Sequence, residues 1–177
     1  MANQNLTKLI EEYKKGDGEI CSFLELDKQL KEFDPSENIK DVLKRAGVAV
    51  RKNGKRFDHQ RRITYLSLEK LTRSLNLNQN RIQKLTSFDE LYNFIKELKI
   101  EGIGKLAIYD TSLRIGHYLK LKPKDVYIHA GVSKGLRKLK IPTRGKINIS
   151  IKDLPDEFSA LKPYHAENFL CIYKDRF

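Results

Sequence analysis

A mostly α fold, compact and helical with a glycine hairpin between two of its later helices, is predicted by three observations. Apolar residues recur at three- and four-residue spacing along most of the chain. Several of these runs open on residues that satisfy the unpaired amides of a helix start. Only Ile147, Ile149 and Ile151 alternate with polar neighbours, which suits one short strand or extended arm.

Leu6, Leu9, Ile10 and Tyr13 share one face of a first helix that stops by Gly16-Asp17-Gly18. A second helix covers Ser22 to Phe33. Asp34-Pro35-Ser36-Glu37 predicts the start of a third, with Asp34 as N-cap, the proline at N1 and Glu37 at N3. Gly47 would close it as the residue after its C-cap. Residues 51–62 are polar and basic, with Asn53-Gly54 marking a turn. Leu66, Leu68, Leu71 and Leu75 suit a fourth helix, and a short one follows near Ile82 and Leu85.

Ser87-Phe88-Asp89-Glu90 reads as a capping box, and Leu91, Phe94, Ile95 and Leu98 follow on one face. A further helix runs from about Lys105 to Leu119, ended by Lys122-Pro123. Another begins near Val132 and stops at Pro142, and Pro155 and Pro163 each precede helical turns. The expected organisation is one domain over 1–177, with a hairpin region at 87–140 and a C-terminal appendage at 141–177 packing on it. The run Phe169-Leu170-Cys171-Ile172-Tyr173 reads as core closure.

Ile100-Glu101-Gly102-Ile103-Gly104-Lys105 joins the two helices in the hairpin region. Glycines allow a tight turn and a close ligand approach. The next helix then presents its unpaired amides and positive dipole end to an anion. This is the arrangement by which a helix-hairpin-helix motif holds a nucleic-acid phosphate, with the amides of Ile103, Gly104 and Lys105 as donors.

Charge points the same way. The net charge is +12 and the isoelectric point near 9.6, which favours a polyanionic partner. Eight Lys/Arg and a single acid, Asp58, lie between Lys44 and Arg62. Seven Lys/Arg and no acid lie between Val126 and Lys152. The two cysteines, Cys21 and Cys171, lack zinc-ligand spacing and make no disulfide framework, so reduced buried thiols and no metal or cofactor are expected. The first residues lack a signal-peptide pattern, and no apolar stretch is long enough to span a bilayer. A cytoplasmic protein with no membrane partner is the expectation.

From Ser87 to Leu139 the order of signals resembles the helix-hairpin-helix DNA glycosylases. The matching text is Gly102-Ile103-Gly104-Lys105, the helix Leu106 to Leu119, the connection Asp125-Val126-Tyr127-Ile128, and the basic helix Val132 to Lys140. The resemblance implies a helical DNA-binding fold that acts on modified or extruded bases. The family's nucleophilic lysine position is Leu106 here, and its catalytic aspartate would fall within His129-Ala130-Gly131, which has no carboxylate. Reading Tyr109-Asp110-Thr111 as the family's Val-Asp-Thr puts Asp110 inside a helix, about 9 Å along its axis from Gly104.

Candidate catalytic residues are therefore His129, Asp110 and Tyr127, with His129 equally able to cap the next helix and Asp110 able to pair with Arg114 at i+4. Candidate nucleic-acid contacts are Gly102, Ile103, Gly104, Lys105, Lys134, Arg137 and Lys138. They also include His59, Gln60, Arg61 and Arg62, where Gln60 would fill the space left by an extruded base. The expected partner is double-stranded DNA. A non-catalytic module binding DNA or structured RNA within a larger assembly is the alternative, and an adaptor for an acidic protein a third reading.

Overall fold

The side chains of Asn38, Thr64, Ser87 and His129 cap the starts of four helices. A computed structural model describes residues 4–16 and 22–177; Cys21 and the Asp17-Gly18 part of the first turn lie outside them. Among the described residues there are nine α-helices and one two-stranded pairing, so the fold is mostly helical. The chain forms two compact units: residues 29–122 make one, and residues 1–28 with 123–177 make the other. The chain passes between them within the helix Phe23–Lys31 and again at Lys122-Pro123.

The continuous unit contains α3 (Ile39–Val48), α4 (Tyr65–Leu77), the short α5 (Gln79–Ile82), α6 (Phe88–Glu97) and α7 (Lys105–Tyr118). Asn38, not Asp34, caps α3: its Oδ1 accepts from the Lys40 amide. Asp34 instead closes a local turn, accepting from the Ser36 amide at 2.8 Å. Asx turns compete in this way with helix starts. Gly47 lies within α3, and Ala49 takes the left-handed C-cap position with φ 58°. A Cβ on Gly47 would come within 2.4 Å of Thr72 Oγ1 and 2.9 Å of Thr72 Cα. The glycine is therefore needed for close packing of α3 on α4, not for ending the helix.

Thr64 caps α4 by accepting from the Ser67 amide, and Ser87 caps α6 by accepting from the Glu90 amide. The Glu90 carboxylate reaches one residue further back than a capping box predicts, taking the Thr86 amide at 2.8 Å. Burial of Val42, Leu43, Leu71, Leu75, Ile82 and Leu91 supplies the apolar driving force. α7 is buried from Ala107 through Gly116 with few interruptions.

The discontinuous unit contains α1 (Gln4–Lys15), β1 (Val126–Tyr127), α8 (Ala130–Lys138), β2 (Asn148–Ile149) and α9 (Pro163–Ile172). The strands pair antiparallel, Val126 opposite Ile149 and Tyr127 opposite Asn148. The C-terminal stretch is core rather than appendage, because Ile149, Leu154, Phe158, Leu161, Phe169 and Leu170 are buried with Leu6, Leu9, Ile10 and Tyr13. Phe169 packs against Tyr13, Phe158 and Tyr173 at 4.8 to 5.6 Å between ring centroids.

His165, fully buried in this unit, lies parallel to Phe23 at 3.7 Å. Its Nδ1 faces the Tyr13 hydroxyl at 3.0 Å, and its Nε2 lies 3.1 Å from Asp27 Oδ1. Burial pushes this imidazole down to about 4, against the pull of Asp27. The ring is neutral at pH 7, so Tyr13 donates to Nδ1 while accepting from Asn168 Nδ2. An unfolded His165 takes its proton near 6.5. Its contribution is then complete above 6.5 and is lost as pH falls toward 4. Thermal melts from pH 7 to pH 4 should show a falling Tm, and His165→Gln should flatten that fall. An unchanged slope in the variant would show that other groups set the acid limit.

Candidate nucleic-acid interface

The α6–α7 connection is shaped by two residues with left-handed backbone, one of them a glycine. After α6, Lys99 has φ 48° and Gly102 φ +81°. A Cβ at Gly102 would meet Ser67 Oγ at 2.6 Å, so the turn lies hard against the first turn of α4. Gly104 is different from the sequence expectation. It is the N-cap of α7 in an extended conformation, φ −85° and ψ 177°, which any residue adopts. A Cβ there would meet nothing within 4 Å. The tight turn belongs to Gly102, and Gly104 leaves open space over the helix end.

That end has no side-chain cap. The Ile103 amide is already spent, donating to the Ile100 carbonyl at 3.1 Å, which removes it from the expected phosphate donors. The α7 amides from Lys105 to Ala107 precede the first residue that reaches back to the Gly104 carbonyl, Ile108. Gly102, Gly104 and Lys105 are exposed, and Ile103 is half-buried. The arrangement can accept an anion on amides and helix dipole with the Lys105 ammonium beside it.

The first basic cluster is partly spent on internal pairs. Arg45 and Lys52 bind Glu37 at 2.7 and 3.0 Å, and Arg51 binds Glu32 at 2.6 Å. Arg61 binds Asp58 at 2.7 Å on the surface. Lys44, Lys55 and Arg62 are exposed, as is His59 in the 3₁₀ turn Asp58–Gln60. In the second cluster Lys134 pairs with Asp175 at 2.5 Å, while Arg137 and Lys138 are exposed on the last turn of α8.

Gln60 is not an exposed wedge. It is 1% exposed, and its Nε2 donates to Asp110 Oδ2 at 2.6 Å. Its Oε1 accepts from Arg114 Nη2 at 2.7 Å, while Arg114 and Asp110 themselves stand 3.9 Å apart. The expected i+4 pair is thus bridged by an amide from a distant loop. The Arg114 guanidinium also lies 3.9 Å from the Phe57 ring centroid. Burial pulls this guanidinium down to about 10, with Asp110 opposing, so it stays charged at neutral pH. A polar loop residue with no apolar periodicity gives no sequence signal for such burial.

His129 is buried and caps α8. Its Nδ1 accepts from the Gly131 amide at 3.3 Å, which places the ring proton on Nε2, facing Glu167 Oε1. Glu167 was not expected from sequence; it is a buried carboxylate on α9, whose apolar run hides it. Both imidazole nitrogens are engaged, so no lone pair is left to deprotonate a water. Tyr127 is buried in β1. Asp110 belongs to the continuous unit and His129 to the discontinuous one; His129 is engaged at both ring nitrogens, and Asp110 accepts from Gln60 on one carboxylate oxygen. Cys171 is half-buried against Gly131, and no cluster of metal-ligating side chains occurs among the described residues. No helix is long and apolar enough to cross a membrane. No family model, curated protein or solved structure matches this chain.

Proposed function

We propose that the chain is a helix-hairpin-helix module that binds double-stranded DNA through its phosphates, without base-excision chemistry. The observation that carries the reading is the start of α7: an exposed, uncapped helix end with open space at Gly104 and a lysine at its first position. Phosphate oxygens suit that end because amides and dipole both act on negative charge. Exposed cations at Lys55 and Arg62, in the same unit as α7, add a sequence-independent attraction. The engaged state of His129 and Asp110 favours the non-catalytic reading over the glycosylase one.

Titration of a blunt duplex at increasing salt tests this. Log K should fall linearly with log salt, at about −0.9 per phosphate neutralised. Lys105→Glu should weaken binding at least tenfold at low salt and make the slope shallower. Salt-independent affinity, or a Lys105→Glu protein that binds like wild type, would sink the reading.

A further inference from the structure

We propose that Tyr65 and Leu66 form a stacking platform for an unpaired base of the strand whose phosphate lies on the α6–α7 turn. This rests on the phosphate reading of that turn. Tyr65 and Leu66 are 70% and 61% exposed, although they are consecutive apolar residues at the start of a helix. Consecutive helix residues point about 100° apart, so the Tyr65 ring offers the stacking face and Leu66 flanks it.

The helix start that carries them is placed beside the turn by contacts already described. Thr64 Oγ1 accepts from the Ser67 amide, and Ser67 is the residue against which Gly102 of the turn packs. The first turn of α4 and the phosphate turn are therefore neighbours within one unit. Arg56 makes Tyr65 more than a loose side chain. Its Nη2 donates to the Ile63 carbonyl at 2.7 Å, and its guanidinium carbon stands 4.8 Å over the Tyr65 ring. The cation covers one ring face and restrains the side chain, leaving the other side for a flat partner. An ordered ring loses less entropy when a base stacks on it.

Charge decides which flat partner. Near this corner in sequence the exposed cations are Arg62, Lys70, Lys96, Lys99 and Lys105, against the carboxylates Glu69, Glu97 and Glu101. An aromatic platform beside excess positive charge suits a nucleotide better than an apolar peptide. A base within an intact duplex offers no face to stack on, so the platform selects unpaired nucleotides: an overhang, a gap or a frayed end.

The chain has no tryptophan, so Tyr65→Trp provides a single reporter. Its emission should be quenched by a duplex with a short thymidine overhang and unaffected by the blunt duplex of the same sequence. Tyr65→Ala should weaken overhang binding roughly tenfold and leave blunt-duplex binding within twofold. Lys105→Glu should weaken both. Unquenched emission at saturating overhang, absence of any overhang binding, or an overhang preference unchanged in Tyr65→Ala would overturn the platform. If Lys105→Glu binds both duplexes like wild type while Tyr65→Ala loses the overhang preference, the phosphate reading of the turn fails: Tyr65 then stacks a base that no phosphate on the turn holds, and the platform as proposed is overturned. The exposure of Tyr65 keeps folding out of the comparison, and Leu66→Ala gives a second, milder reduction.

Discussion

Gly104→Val is expected to abolish duplex binding while leaving the melting temperature near wild type. The backbone at Gly104 is extended, so a β-branched residue fits it without strain, and the new side chain enters open space. That space lies over the uncapped start of α7, where a phosphate oxygen would need to come within hydrogen-bond distance of the amides. The valine methyl groups would hold it off. Gly102→Val should do the opposite damage. Its φ of +81° and the Ser67 contact at 2.6 Å leave no room for a Cβ. A left-handed β-branched residue costs about 1–3 kcal/mol before the clash is counted. Binding and urea unfolding measured on the two variants separate the roles. A Gly104→Val protein that binds normally would remove the helix end from the interface. One that unfolds with Gly102→Val would show that both glycines serve only the turn.

Asp110→Ala is expected to cost about 3 kcal/mol of stability, on the scale of breaking a buried ion pair. The loss follows from what remains. Arg114, 6% exposed, would keep its charge but lose the carboxylate 3.9 Å away, and Gln60 would lose the acceptor for its amide. Asp110→Asn keeps an acceptor for Gln60 and should cost less. Arg114→Met removes the buried charge itself and should also cost less than Asp110→Ala, since an apolar side chain of similar length can fill the place over Phe57. Urea midpoints of the three variants would check the order. A full-strength Asp110→Ala fold that had lost only a chemical activity would reverse the structural reading of this residue.

Legibility in the sequence tracked the reach of each interaction. Caps at Thr64 and Ser87 act over three residues, and the α6 start and the α7 span could be read from local text. The alternation at Ile147, Ile149 and Ile151 marked β2, whose partner residues lie more than twenty positions earlier. Where two signals competed locally, reading failed: Asp34-Pro35 looks like a helix start, yet its turn is complete before Asn38 begins α3. Long-range polar contacts were invisible. Gln60 meets Asp110 from fifty residues away, and His129 meets Glu167 from thirty-eight. Gly47 gave a stop signal because glycine is common after helices, but only the close approach of Thr72 shows its use. The turn between α6 and α7 was legible from its glycines, and the division of labour between the two was not.

The discontinuous unit also sets an order of events for the nascent chain. Tyr13 meets His165 and Asn168 across more than one hundred and fifty residues. Residues 29–122 have all their own partners once Lys122 has been made, whereas α1 waits for α9. Folding of the inner segment first draws residues 28 and 123 closer than a random coil of that length would hold them, and so reduces the entropy of closing the outer loop. During synthesis the apolar face of α1, Leu6, Leu9, Ile10 and Tyr13, has no completed core to enter until α9 leaves the ribosome. A chaperone that recognises such faces would therefore meet this chain at α1 until α9 has emerged.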